Sequence, residues 1–136
     1  MKEIRIVLDT NLWISFLISK KYKKLSALIE QSSIRLIFSL HLFEEFLEVV
    51  NRPKFEKLFS KSDISRLIDL FDAYGELVEV TTDVHICRDN KDDFLLNLSI
   101  DGQADYLITG DKDLLVIENI KSTKILTYSE FLCEIE

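Results

Sequence analysis

A three-layer α/β/α fold with a central, mainly parallel sheet is predicted by three features of the sequence. Short, mostly apolar strand-like segments alternate with helical patterns. Those segments are apolar runs rather than alternating ones, as strands covered on both faces should be. Three of them stop at polar residues where a helix or turn begins. Right-handed crossovers between parallel strands place the intervening helices on both faces of a sheet, and ligands then bind beyond the carboxyl ends of its strands.

The elements follow in order. Residues 4–8 read as a strand ending at Asp9-Thr10-Asn11, and an apolar run over residues 12–18 continues helically. Residues 35–39 form a second strand candidate that ends at Ser39. Helical patterns fill residues 25–31, 40–50 and 63–74, the last with Ser62 as its N-cap and Gly75 as its stop. Short strands are expected at 77–80, 106–109 and 124–126, with a helix over 91–100 between the first two and another over 129–135. The strand at 106–109 runs into Gly110-Asp111, so Asp9, Ser39 and Thr109-Gly110-Asp111 should converge in space.

Composition bounds the rest. The 136 residues are 47% hydrophobic and 30% charged, with three glycines and one proline. That is globular usage, and one domain over residues 1–136 is expected, able to bury roughly two-thirds of its unfolded surface. Cys87 and Cys133 have no metal-ligand spacing and are expected to be reduced core thiols in the cytoplasm. Asp9 and Asn11 interrupt the first apolar stretch before it could be a signal or membrane segment. No repeat of 20 to 50 residues is visible.

The net charge of −7 argues against a nucleic-acid partner until its distribution is considered. Between Asp83 and Asp113 there are eight aspartates against Arg88, Lys91 and Lys112, a local balance of −5 that leaves −2 for the remainder. Acidity this concentrated suits a cation site. Two basic groups, one formed by Lys20, Lys21, Lys23 and Lys24 and one running from Arg52 through Lys54 and Lys57 to Lys61, are either phosphate contacts or solvated surface.

Four places carry candidate chemistry. Asp9 at a strand end is an N-cap of the following helix, with Thr10 and Asn11 as rivals, or a ligand of a cation. On the helix of residues 40–50, Glu45 sits beside Val49 at the edge of the apolar stripe, with Glu44 further round and Glu48 opposite. On the next helix but one, Asp92 shares a stripe with Leu95, Leu96 and Ser99, whereas Asp93 shares its side with Asn97 and Ile100. Asp89, Asp92 and Asp93 each have an alternative role as helix-start acids. Asp111 and Asp113 follow a Gly turn and singly suggest a loop and a cap. Acids at two strand ends and on two helices that begin near such ends point instead to one oxygen-ligand site for Mg2+ or Mn2+. His41 and His85 lack a second histidine at metal spacing and are assigned structural roles.

The motifs Val7-Leu8-Asp9-Thr10-Asn11, Ser39 six residues before Glu45, Asn51-Arg52-Pro53-Lys54-Phe55, Arg88-Asp89-Asn90-Lys91-Asp92-Asp93 and Ala104-Asp105-Tyr106-Leu107-Ile108-Thr109-Gly110-Asp111-Lys112-Asp113-Leu114-Leu115 resemble the PIN-domain ribonuclease family. Within it the chain is similar to the compact bacterial and archaeal toxins of toxin–antitoxin pairs. The resemblance implies that Asp9, Glu45, Asp92 and Asp111 are the catalytic and metal-binding acids, with Asp113, Asn11 and Thr109 as helpers. It implies a Mg2+- or Mn2+-dependent endoribonuclease in which metal-activated water leaves a 5′-phosphate and a 3′-hydroxyl. The expected partners are RNA and an antitoxin protein, with room for a homodimer and no membrane. Ser99 and Asn97 depart from the family's usual small or apolar residues.

A catalytically silent PIN-like module that binds RNA or protein is the alternative, and it would be favoured by missing acids. A phosphoacceptor receiver domain would want adjacent acids after the first strand, where Thr10 and Asn11 stand. Nucleotide-binding folds would want Gly-x-Gly-x-x-Gly or Gly-Lys-Ser/Thr, and neither occurs.

Overall fold

The computed structural model describes residues 3–86 and 92–135. Its strands are β1 (Ile4–Leu8), β2 (Ile34–Phe38), β3 (Gly75–Leu77), β4 (Tyr106–Ile108), β5 (Asn119–Ile120) and β6 (Thr123–Leu126). They form one sheet in the order β3-β2-β1-β4-β6-β5, parallel throughout except for the β5–β6 pair at one edge. The helices are α1 (Thr10–Ser19), α2 (Tyr22–Gln31), α3 (Leu40–Val50), α4 (Lys61–Tyr74), α5 (Asp93–Asp101), α6 (Lys112–Leu115) and α7 (Tyr128–Ile135), with a 3-10 turn at Pro53–Phe55. This is the expected α/β class. Among the described residues no helix is long and apolar enough to cross a membrane.

The three layers follow from the pleat, which sends successive side chains to opposite faces. Ile6, Leu8, Ile108 and Leu126 join one buried cluster with Trp13, Leu17, Leu25, Phe46, Leu67 and Phe131 of the helices. Their neighbours Val7, Leu107 and Ile125 face the other way, onto Leu95, Leu96 and Leu98 of α5 and Leu114 of α6. Helix α3 serves both sides, since Leu42 packs in the second cluster and Phe46 and Val50 in the first.

Strand order locates the cleft. After β1 the chain builds outward through β2 and β3, then returns to the other side of β1 for β4 and β6. Connections leave β1 and β4 in opposite directions, so a crevice opens at their carboxyl ends. The ladder holds its lip: Leu8 pairs with Ile108, and the Asp9 N–H donates to the Ile108 carbonyl at 3.1 Å.

Several boundaries differ from expectation. Helix α4 is capped by Ser60 rather than Ser62, through a reciprocal box in which Ser60 Oγ accepts from Asp63 N and Asp63 Oδ2 accepts from Ser60 N. Gly75 ends α4 as expected and also opens β3, a close passage that needs glycine because a Cβ there would lie 2.2 Å from the Phe71 carbonyl oxygen and 2.7 Å from the Phe38 ring. Strand β3 ends at Leu77, where the expected strand 77–80 begins; the Val78 N–H still donates to the Phe38 carbonyl at 2.8 Å, and Val78 and Val80 pack against the second cluster. The expected start of α5 at Lys91 lies outside the described residues; the helix is described from Asp93. Cys133 is exposed, not a core thiol, and Cys87 lies outside the described residues. Among the described residues, five other than glycine take positive φ, namely Lys20, Ser33, Gln103, Glu118 and Lys121, whereas no glycine does.

The amino-terminal part of β1 is bound by charge. Arg5 reaches across β2 to make a two-pronged contact with Glu76 of β3, at 3.0 and 2.8 Å, and its Nε and Nη2 also donate to the Gly102 carbonyl at 2.9 and 2.8 Å. Its backbone N–H donates to Asp105 Oδ2 at 2.9 Å.

Candidate active site

Asp9 follows the last residue of β1 and is only 7% exposed. It is the N-cap of α1: Oδ1 accepts from the Asn11 N–H at 3.1 Å. Oδ2 accepts from the Thr109 hydroxyl at 2.8 Å. Capping therefore occupies one carboxylate oxygen and Thr109 the other, and Asp9 forms no ion pair among the described residues. Burial pushes its carboxyl above the ordinary carboxylate range. The hydrogen bonds from Thr109 and the Asn11 N–H oppose this, and the charges of Asp111 and Glu45 push it further up. Both of those carboxylates thus share its electrostatic environment.

Thr109, fully buried at the end of β4, links two acids. Its Oγ1 donates to Asp9 and accepts from the Asp111 N–H at 3.0 Å. Asp111 is half-buried and caps α6, with Oδ1 accepting from the Asp113 N–H at 2.9 Å. Asp113 is half-buried too, and its described contribution here is that backbone donor. Likewise Asn11 supplies a backbone N–H to Asp9, while the residue itself is exposed.

Glu45 comes from α3, which starts at Ser39, a buried residue whose hydroxyl accepts from Leu42 N at 3.1 Å. At the edge of the apolar stripe it is half-buried, and Oε2 accepts from the Thr10 hydroxyl at 2.6 Å; Glu44 and Glu48 are exposed. From the sequence Thr10 is only a rival cap. Its buried hydroxyl, adjoining Asp9, instead fixes the orientation of Glu45.

Asp92 is half-buried at the N-cap position of α5, but its side chain makes no capping hydrogen bond. Asp93, next in sequence, is the more deeply buried of the pair at 4% exposure. Its Oδ1 accepts from the Ile86 N–H at 3.2 Å, and Oδ2 stands 3.8 Å from His85 Nδ1. The stripe linking Asp92 to Leu95, Leu96 and Ser99 does not rank these acids, since Asp92 precedes the helix. Asp89 lies outside the described residues.

The donors gathered from β1, β4, α3 and the start of α5 are hard oxygens, the type that Mg2+ and Mn2+ select over softer sites. Among the described residues, no three of His, Cys, Asp and Glu stand close enough to surround one ion as the side chains are placed. Each of Asp9, Glu45 and Asp111 is anchored by its own hydrogen bonds. Donor chemistry and electrostatic clustering fit a divalent cation, with rotation of side chains such as Glu45 required to close on it.

The apparent departures at residues 97 and 99 have structural roles. Asn97 Oδ1 accepts from the Val84 N–H at 2.7 Å, fastening the segment before α5, and the buried Ser99 hydroxyl returns to the Leu95 carbonyl at 2.8 Å. Missed from the sequence was a cavity of about 630 Å3, lined in part by Ser39, His41, His85, Asp93, Phe94 and Asn97. Both histidines assigned to structure face it.

Residues 5–113 match the PIN domain family. An uncharacterized protein of Methanocaldococcus jannaschii is 31% identical over 146 residues, a match covering 98% of this chain and 93% of that protein. With the matching region reaching from β1 through Asp113, the chain belongs to the PIN domain family, whose members are generally nucleases.

Proposed function

We propose that this protein is a metal-dependent endoribonuclease in which Asp9, Glu45, Asp92 and Asp111 hold Mg2+ or Mn2+. The observation that carries the reading is the buried Asp9 carboxylate at the point where strand order reverses. It has no ion pair among the described residues, and burial raises its pKa, with the charges of Asp111 and Glu45 adding to the rise. A bound cation would relieve that repulsion, neutralise charge on a phosphodiester and lower the pKa of the attacking water.

The chain's own residues prepare the site. Thr109 holds Asp9 and Asp111 through one hydroxyl, Thr10 holds Glu45, and the Asn11 and Asp113 N–H groups fix one oxygen each of Asp9 and Asp111. Asp113 adds a further half-buried carboxylate near the rim. Cleavage by water leaves a 5′-phosphate and a 3′-hydroxyl. Single-stranded or looped RNA suits a cleft of this kind because its backbone can bend into it. Of the basic residues, Lys20 is engaged with Asp63 at 2.8 Å and Arg52 with Glu48 at 2.9 Å, whereas Lys21, Lys23 and Lys24 are exposed and available to phosphates.

In this reading residues 1–136 form one nuclease domain that acts in the cytoplasm as the toxin of a toxin–antitoxin pair, silenced by an antitoxin protein and able to form a homodimer. A short open reading frame adjoining this one, whose product copurifies with it, is the expected companion. The decisive assay is cleavage of end-labelled RNA with Mg2+ or Mn2+, in excess chelator, and by Asp9→Asn. Cleavage requiring both metal and Asp9 supports the proposal; RNA binding without cleavage would favour a silent binding module.

A further inference from the structure

The cavity reaches α3 at His41, one helical turn before Glu45. His41 and Glu45 are four residues apart on α3 and so share a face of that helix, and Phe94 follows Asp92 by two residues. The two rings stack, with centroids 4.1 Å apart and an interplanar angle of 16°. Phe94 is half-buried beneath, while His41 is exposed, so the pair offers the outer face of the imidazole as a flat platform. The wall beyond it is polar. Asn97 Oδ1 is taken by the Val84 N–H, which fixes the amide's orientation and leaves its NH2 as the donor toward a ligand. Glu79 and Asp83 supply acceptors, and among the described residues lining the cavity none is Lys or Arg.

A phosphate or other anion is poorly suited to walls of this charge. A neutral, planar ring with both donors and acceptors on its edge fits them, and the volume falls within the roughly 300–1,000 Å3 of pockets that take small ligands. Building on the ribonuclease reading, we propose that this cavity is a nucleobase subsite: a base beside the scissile phosphodiester stacks on the His41–Phe94 pair and is hydrogen-bonded by the Asn97 amide. His41 would then position substrate, and the protein would prefer certain bases next to the bond it cuts.

The test uses the 15N-labelled protein without metal, titrated separately with adenosine, guanosine, cytidine, uridine and ribose 5-phosphate. At least one nucleoside should shift the amide signals of His41, Phe94 and Asn97, and ribose 5-phosphate should not. His41→Ala should weaken that nucleoside about 10-fold, the scale of one lost stacking contact, and His41→Phe should restore it. With Mn2+ and RNA, an abasic nucleotide beside the cleaved bond should raise KM for the wild type but not for His41→Ala. The proposal is overturned if no nucleoside moves those signals, if ribose 5-phosphate moves them equally, or if His41→Ala binds nucleoside as the wild type does. Nucleoside binding in a protein that cuts no RNA would defeat the nuclease reading and leave the base site standing.

Discussion

Arg5 and Asp9 belong to the same stretch of chain, one within β1 and one just beyond it, and the protein treats their charges in opposite ways. Around Arg5 every charge is answered. Glu76 takes two of its N–H groups and the Gly102 carbonyl two more, and the pairing holds Glu76 below the ordinary carboxylate range while raising Arg5. Asp9 has no basic partner among the described residues, and its carboxyl is held above that range by burial first and by the charges of Asp111 and Glu45 after it. The first arrangement fastens strand to strand; the second leaves a buried carboxylate with no ion pair among the described residues. One strand thus carries a closed electrostatic account at one end and an open one at the other.

That contrast can be broken experimentally, most sharply by comparing Asp9→Asn with Arg5→Ala. Initial rates on an RNA oligonucleotide with Mn2+ should fall by about 100-fold or more for Asp9→Asn, the scale of losing one charge-stabilising group, and stay near wild type for Arg5→Ala. Melting without metal at neutral pH should reverse the order, with Asp9→Asn as stable as the wild type or more so and Arg5→Ala less stable. A rate lost with Arg5 and kept without Asp9 would abolish the distinction.

Thr109→Val should be the next most damaging, because it strips a donor from Asp9 and an acceptor from the Asp111 N–H. Leaving buried polar groups unmade costs about 1–3 kcal/mol, read by denaturant unfolding. Mn2+ affinity by calorimetry should drop by roughly 10- to 100-fold, as for the loss of a group that orients a ligand. Gly102→Ala strains the fastened end alone, since its Cβ would lie 2.4 Å from an Ile37 methyl. It should cost about 1–3 kcal/mol as overpacking while sparing Mn2+ affinity.

The smallest effects separate the two ends by pH. For Asp9, whose folded pKa is raised, the native state holds more protons than the unfolded chain between the ordinary carboxylate range and that raised value. Its contribution to stability therefore falls as pH rises through this window, and Asp9→Asn should remove that slope. Glu76, whose folded pKa is lowered, contributes above the ordinary range and loses that contribution as pH falls through its folded pKa. It is largely exposed, so Glu76→Gln should cost under about 1 kcal/mol at neutral pH. Denaturant midpoints measured between acid and neutral pH would show the two slopes with opposite sign.

What the sequence revealed depended on how long a pattern ran. Helix α3 has apolar residues at helical spacing over its whole length, and its limits were read correctly together with the edge position of Glu45. Helix α6 and strand β5, at four and two residues, are too short to show a period, and both went unseen. At α5 the pattern does not decide between the acids: residues 95–99 are all buried, so the helix has no polar face against which Asp92 and Asp93 could be ranked. Ser60 lost to Ser62 as a cap because the box that identifies it uses Asp63, an acid less expected there than Glu or Gln. Thr10 holding Glu45, Thr109 holding two acids and Arg5 meeting Glu76 are contacts across 35 to 100 residues of sequence, which no local pattern encodes.

The five left-handed turns made without glycine bear on how this chain could be improved. Its glycines at 75 and 102 are spent where backbones and side chains crowd, and the reversals at Lys20, Ser33, Gln103, Glu118 and Lys121 are left to residues that resist the conformation, at about 1 kcal/mol or more each. Most of these turns lie remote from the acids, at helix ends and around the β5–β6 hairpin. The molecule therefore carries a reserve of unclaimed stability in its connections, open to evolution or to an engineer, that can be drawn on without touching the residues proposed to do chemistry.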